Sequence, residues 1–182
     1  TARLMGRLTL NPLKHIDPIL TLVLPMLIIV TNAMTGANMP IFGGAKPVPF
    51  NPSRIDHDEW GIAAMALAGP LVNLILAFLA YGALILLGQE APFLTQTVLS
   101  TAIWVNLGFF AFNLLPIPPL DGSRVLYALA PDFVRHFMDT LERYGLVVVL
   151  ALVMLAGPLL GGYMSAVING MLWFFGKVFG IA

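Results

Sequence analysis

The sequence predicts an all-α polytopic membrane protein with three to four transmembrane helices and a re-entrant or short β-hairpin segment around residues 39–55. Two observations lead to this class. Of the 182 residues, 59% are hydrophobic and only 10% are charged, and the mean hydropathy is +0.90, which is too apolar for an ordinary water-soluble domain. The apolar residues also gather into long stretches separated by short polar segments.

The N-terminal third of the chain leaves two structural choices open. The apolar stretch at residues 19–33 is shorter than the roughly 20 residues of a full span and contains Pro25, so it is either a marginal span or a re-entrant segment lying against protein. Residues 39–55 are rich in Pro and Gly and suit an extended strand or hairpin, whose edge could pair with a peptide. An irregular loop at the membrane surface explains them equally well.

The remaining apolar stretches are long enough for full spans. Residues 62–87 and 98–117 each qualify, and residues 145–179 can hold one tilted span and a second segment, such as a span followed by an interfacial helix. The Gly-Pro pair at 157–158 and the Gly-Gly pair at 161–162 are predicted to interrupt the last stretch.

Basic residues predict the orientation. The loop at residues 89–96 carries no Lys or Arg, whereas residues 122–144 carry three arginines, Arg124, Arg135 and Arg143. Because basic loops favour the cytoplasmic side, residues 98–117 should run toward the cytoplasm and end near that face.

Charge and cysteine content exclude several classes. Nine basic residues balance nine acidic ones, so there is no net field to attract nucleic acid, and no nucleic-acid partner is expected. The chain contains no cysteine, which rules out thiolate ligands and nucleophiles. Any metal would have to be held by His, Asp or Glu.

Asp121 is the best single candidate for chemistry. It ends a Pro-rich strip at residues 113–122, whose prolines stiffen the chain ahead of a carboxylate that could bind a divalent cation. The other interpretation is a turn in which Asp121 caps a helix beginning near Ser123.

Two asparagines stand in apolar surroundings. Asn113 could donate a hydrogen bond to a substrate carbonyl or a developing oxyanion, or could make an interhelical contact. Asn73 follows Ala68, Gly69 and Pro70, small residues that allow close helix approach, and its amide favours a bond across a helix interface.

The histidines do not form a metal motif. None of His15, His57 and His136 lies four residues from another, and the 182 residues contain no His-Glu-x-x-His. His57, in the acidic run 56–59, suits a solvated turn better than a metal cluster. His15 is predicted to be structural and His136 to lie on the surface.

Four motifs together resemble the site-2 protease family of intramembrane zinc metalloproteases, most closely its compact prokaryotic members without a PDZ domain. They are Asn-x-x-Pro-x-Pro-Pro-Leu-Asp-Gly at 113–122, Ala-Gly-Pro-Leu-Val-Asn at 68–73, Asn-Pro-Leu-Lys-His-Ile-Asp-Pro at 11–18 and Ala-Lys-Pro-Val-Pro at 45–49. The resemblance extends from Thr1 to about Tyr144.

The resemblance implies a function and two site residues. In that family one zinc ion is held by the two histidines of a His-Glu-x-x-His helix and by an aspartate that matches Asp121. The Glu of that helix activates zinc-bound water, and the asparagine that matches Asn113 helps to hold the substrate or the oxyanion. The expected substrates are transmembrane or membrane-proximal segments of membrane proteins, and the expected location is a prokaryotic cell membrane, in multi-pass form.

One departure from the family pattern bears on activity. The resemblance places the His-Glu-x-x-His helix shortly before the residues that match 1–3, so residues 1–182 are expected to form a single membrane-embedded metalloprotease core that lacks this helix and is inactive by itself. A non-catalytic relative that binds membrane segments is one alternative. A small transporter or channel subunit that uses Asp121 as an ion site is another.

Overall fold

The regular secondary structure in the described part of the chain is helical throughout. A computed structural model describes residues 23–36, 58–88 and 90–181, and none of these residues forms a strand. The helices within these ranges are α1 (Leu24–Thr35), α2 (Asp58–Leu87), α3 (Phe93–Asn113), α4 (Gly122–Leu129), α5 (Asp132–Arg143), α6 (Gly145–Leu155) and α7 (Gly157–Val178). The all-α class is confirmed. The segment predicted around 39–55 lies outside the described residues, as do His15 and His57.

Helix α1 belongs to a separate compact unit of the chain. Pro25 lies in its first turn, where a missing backbone N–H costs little. Gly36 ends it with a left-handed backbone (φ 69°) and donates its N–H to the carbonyl of Asn32 at 2.9 Å. With 12 residues, α1 is about 18 Å long and shorter than a bilayer core, so the described helix is not a full span.

Within residues 23–36, 58–88 and 90–181, three helices are long and apolar enough to cross a membrane. They comprise Glu59–Leu87, Phe93–Asn113 and Gly157–Val178. The length and composition of these helices therefore confirm the prediction of a multi-pass membrane protein. In these segments many large apolar side chains are exposed, for example Leu79, which is 60% exposed, as expected of helices surrounded by lipid.

Two predicted boundaries differ from the structure. The span predicted at 98–117 is a helix over Phe93–Asn113, because the prolines that follow cannot continue a helix. The stretch 145–179 does break at Ala156, ahead of Gly157 and Pro158. However, the Gly-Gly pair at 161–162 lies inside α7, so the second predicted interruption is wrong. The short helix α6 precedes the long helix α7. Glycine is well tolerated in a membrane helix, where the backbone bonds to itself.

Helices α2, α3 and α7 enclose the main core. Its fully buried members include Ala77, Leu107 and Phe175, one from each helix. Phe175 meets the ring of Phe78 edge-on at a centroid distance of 5.1 Å. Beside it, a Cβ on Gly82 would lie 2.7 Å from the Phe179 ring, so the absence of a side chain there lets the end of α7 approach α2 closely.

The two short helices after α3 are amphipathic and lie beside this core. Helix α4 packs against α2, and α5 contacts both α4 and α6. On α5, Met138 is buried whereas Phe133 and Phe137 remain exposed. Helices α4 and α5 thus join the end of α3 to the start of α6, and we call these two helices (residues 122–143) the polar corner.

Leu107→Ala is expected to destabilise the protein more than Leu79→Ala. Leu107 is 0% exposed in the core, whereas Leu79 is 60% exposed, so only the first change leaves a cavity inside the protein. We expect a loss of roughly 2–4 kcal/mol for Leu107→Ala. Unfolding of both variants in the same detergent measures the difference, and equal losses would contradict the packing described for this core.

Candidate functional site

The strip between α3 and α4 is a compact loop (residues 114–121). Its backbone turns are closed by hydrogen bonds such as Leu120 N–H to the carbonyl of Ile117 at 2.9 Å and Ser123 N–H to the carbonyl of Leu120 at 3.0 Å. The Leu115 and Leu120 side chains are buried, and the peptide bond between Pro118 and Pro119 is cis. The loop is thus a packed part of the fold.

Gly122 allows this loop to close on itself. A Cβ at Gly122 would lie 2.2 Å from the carbonyl oxygen of Leu114 and 2.8 Å from that of Leu115. No side chain fits between these groups, so the glycine is required by a backbone contact. The residue before it, Asp121, is held next to the end of α3 as a consequence.

The Asp121 side chain does not cap α4. Asp121 occupies the N-cap position, but its backbone is already helical (φ −59°, ψ −37°) and its carboxylate makes no capping hydrogen bond. Within residues 58–88 and 90–181 no other hydrogen bond to this carboxylate is found. The capping interpretation is therefore wrong, and neither carboxylate oxygen is used by a group within these two ranges.

The carboxylate of Asp121 lies against Gly69 of α2. The Oδ2 atom is 3.3 Å from where a Cβ on Gly69 would lie, which is tight for a side chain but comfortable for glycine. Two of the motifs noted in the sequence, the Ala-Gly-Pro run and the Leu-Asp-Gly run, therefore meet in space. Gly69 does allow a close approach, but the group that approaches it is the Asp121 carboxylate, whereas the sequence predicts another helix.

Burial and charge act on Asp121 in opposite directions. Burial raises the pKa of this carboxyl, and the Arg124 guanidinium, one turn further along α4, partly opposes the rise. Arg124 itself is paired with Glu142 of α5, so it is shared with another acid. A positively charged group next to Asp121 would favour its ionised form.

Neither Asn113 nor Asn73 makes the interhelical hydrogen bond that the sequence suggested for it, within the described residues. Asn113 is the last residue of α3, at the opposite end of the loop from Asp121, and is half-buried. Asn73 is half-buried on α2, four residues after Gly69 and so on the same helix face. Neither amide has a hydrogen-bond partner in the described ranges, and the interhelical bond expected of Asn73 is not found there.

The other polar candidates have structural roles where they are described. His136 is exposed, with Nδ1 2.9 Å from the carbonyl oxygen of Asp132, so its predicted surface position is confirmed. Of the acidic run 56–59, Glu59 lies in α2 and pairs with Arg135 at 2.7 Å. Glu59 is thus used in an ion pair.

The described ranges do not complete a metal site. Nowhere within them do three or more His, Cys, Asp or Glu side chains group so that they could hold a metal ion. Asp121 offers a hard oxygen ligand of the kind that zinc accepts, but it is one ligand. The donor chemistry fits zinc, whereas the ligand set in this part of the chain does not suffice.

An apolar cavity borders the loop and was not anticipated from the sequence. It measures about 420 Å³ and lies between α2, the loop and α4. Its lining residues are scattered over 63 positions, so no local sequence pattern could have indicated it. They are Leu67, Leu114, Pro116, Gly122, Val125, Leu126 and Leu129.

Comparison with known proteins identifies the family. The family model for peptidase family M50 matches residues 85–156, which include α3, the loop and Asp121. YwhC of Bacillus subtilis is 42% identical over 159 residues, which are 84% of this chain and 67% of YwhC. The chain belongs to peptidase family M50. This confirms the resemblance to site-2 proteases noted in the sequence.

Two further M50 relatives match almost the whole chain. Rip2 of Mycolicibacterium smegmatis is 32% identical over 182 residues, covering 93% of this chain and 60% of Rip2. Rip2 of Mycobacterium tuberculosis strain H37Rv is 32% identical over 186 residues, covering 96% and 59%. All three relatives carry the provisional name zinc metalloprotease. The chain thus spans about 60% of the length of the mycobacterial relatives. No solved structure matches the chain significantly.

Gly122→Ala is expected to disturb the loop, whereas Gly108→Ala is not. The added methyl would overlap the Leu114 carbonyl at Gly122, but it would meet nothing within 4 Å at Gly108 in α3. Overpacking of this kind costs about 2 kcal/mol, while alanine suits a helix interior better than glycine. Thermal unfolding in detergent tests the pair, and a Gly122→Ala variant as stable as Gly108→Ala would overturn the described closure.

Proposed function

We propose that this chain forms the membrane-embedded core of a zinc metalloprotease that hydrolyses peptide bonds in transmembrane or membrane-proximal segments of other membrane proteins. The observation that carries the proposal is the Asp121 carboxylate, which lies half-buried at the end of a packed loop and uses neither oxygen for a hydrogen bond within the described residues. Membership of peptidase family M50 supports hydrolysis over transport or a purely structural role.

Asp121 is proposed as one protein ligand of a catalytic zinc ion. Such an ion takes three protein ligands and keeps one open position; when bound, it makes its water acidic and polarises a carbonyl. The remaining ligands and the general base are proposed to come from a His-Glu-x-x-His helix of the whole protein, since the 182 residues contain no such motif. The chain by itself is therefore expected to be inactive.

Asn113 is proposed to hold the substrate. It lies at the other end of the loop from Asp121 and its side chain has no hydrogen-bond partner in the described part of the chain, so its amide N–H groups can donate to a peptide carbonyl oxygen. A polar donor in an apolar setting gains strength because little water competes with it. The proposed partners are membrane protein substrates and the lipid bilayer, and the proposed location is a prokaryotic cell membrane.

Asp121→Ala in the whole protein is expected to lose most of its bound zinc and its cleavage of a model transmembrane substrate. The matched control is Asp132→Asn, at an exposed position in the first turn of α5, which should keep both. Metal analysis and a gel-based cleavage assay give the result. Full zinc occupancy in Asp121→Ala would refute its role as a ligand, and a whole protein without zinc would favour a non-catalytic relative.

The 182-residue chain alone is expected to show no zinc-dependent cleavage of the same substrate. The reason is chemical: the resemblance assigns these residues one zinc ligand, Asp121, and one carboxylate cannot hold catalytic zinc tightly, while it assigns the general base to the His-Glu-x-x-His helix. Cleavage that a chelator abolishes and added zinc restores would show that residues within 1–182 complete the site.

Asn113→Ala is expected to lower kcat about 10²-fold while zinc content stays unchanged. A matched control is Asn106→Ala, because the Asn106 amide donates within α3 to the carbonyl of Ala102 at 2.8 Å and is not assigned to the site. Steady-state cleavage kinetics distinguish the two. Equal activity of the two variants would remove Asn113 from the proposed site.

A further inference from the structure

Arg135 of α5 binds the C-terminal end of α4. Its Nε donates to the carbonyl oxygens of Ala130 at 2.8 Å and Tyr127 at 3.1 Å, and Nη2 donates to that of Ala128 at 3.4 Å. The last carbonyls of a helix have no partner within its regular hydrogen-bond pattern; among these three, that of Tyr127 also accepts a backbone N–H, from Ala130 at 3.3 Å. A cation here also complements the negative end of the helix dipole.

The same guanidinium reaches α2. Nη1 donates to Oε1 of Glu59 at 2.7 Å, and the guanidinium carbon lies 5.5 Å from the centre of the Tyr127 ring. The Arg135 side chain is 25% exposed and that of Glu59 is 32% exposed, so this contact is more sheltered than an ordinary surface ion pair. One side chain thus connects α2, α4 and α5.

Helix α4 is therefore fixed to α2 at both of its ends. At its start, Asp121 lies against Gly69; at its end, Arg135 joins the last carbonyls of α4 to Glu59. Helix α4 has eight residues and is about 12 Å long, short enough to move as a rigid rod. A change at its C-terminal end should be transmitted to Asp121.

We propose that Arg135 is a positioning residue that sets the distance between Asp121 and α2. Its planar fork serves carbonyls and a carboxylate at once, which the single ammonium of lysine cannot do in the same geometry. The consequence for catalysis rests on the proposed function of Asp121, whereas the positional effect does not. Nothing in the sequence pattern indicates this role, because Glu59 and Arg135 are 76 residues apart.

A cysteine pair can measure this distance without relying on activity. The chain contains no cysteine, so Gly69→Cys with Asp121→Cys introduces a single pair, at two positions whose side chains approach each other: Asp121 Oδ2 lies 3.3 Å from where a Cβ on Gly69 would lie. Oxidative cross-linking of the full chain in detergent is followed over time in four backgrounds. They are Arg135→Met, Arg135→Lys, Glu59→Gln and the control Arg143→Met, which changes an exposed arginine of the same helix.

We expect cross-linking to slow about fivefold with Arg135→Met, less with Arg135→Lys, and measurably with Glu59→Gln, while Arg143→Met has no effect. An unchanged cross-linking rate in Arg135→Met overturns the proposal. If Arg135→Met does not fold, an unchanged rate in Glu59→Gln overturns it instead. Monodisperse elution and an unchanged unfolding midpoint of the core identify variants that fold.

A second experiment, in the whole protein, tests whether the position of Asp121 affects zinc binding and catalysis. Arg135→Met should weaken zinc binding and lower kcat while KM stays close to that of the parent, because Arg135 does not touch the substrate. If the cross-link depends on Arg135 but Asp121→Ala keeps its zinc, the positioning role stands and the proposed function of Asp121 fails. If the cross-link does not depend on Arg135, the positioning role fails whatever Asp121 does.

Discussion

The contact between Gly122 and the carbonyls at the end of α3 is the constraint on which the candidate site depends. Because the loop returns to within van der Waals distance of its own beginning, α4 must start beside the last turn of α3. Asp121, one residue earlier, is then directed toward α2 instead of capping its own helix. A longer or looser connection would leave this carboxylate to the solvent or to the helix N-terminus.

Glycines also allow close contacts at two positions of α2. Gly69 admits the Asp121 carboxylate, and Gly82 admits the ring of Phe179. In a bilayer, apolar burial gives little advantage to one apolar surface over another, so close packing and polar contacts decide which helices associate. Helix α2 can therefore serve both the core formed with α3 and α7 and the polar corner.

Two arginines, one in α4 and one in α5, are held in ion pairs. Arg124 pairs with Glu142, and Arg135 pairs with Glu59 and with three carbonyls. Burying such charges without partners would be costly. Asp121 differs from them, since no direct partner satisfies it in the described ranges, and burial raises its pKa. This contrast separates a residue that stabilises the fold from one that is available to a ligand.

The sequence alone determined the membrane class, the helical class and the family, since apolar length and local motifs depend only on neighbouring residues. It also singled out Asp121 and Asn113. The tertiary structure decided that Asp121 does not cap α4, that residues 161–162 continue a helix, and that Gly69 and Arg135 lie at the two ends of α4. The orientation of Asp121 follows from the closure of the loop at Gly122. The positions of Gly69 and Arg135 depend on contacts between residues tens of positions apart, and a pattern read along the chain carries no information about which distant groups will meet.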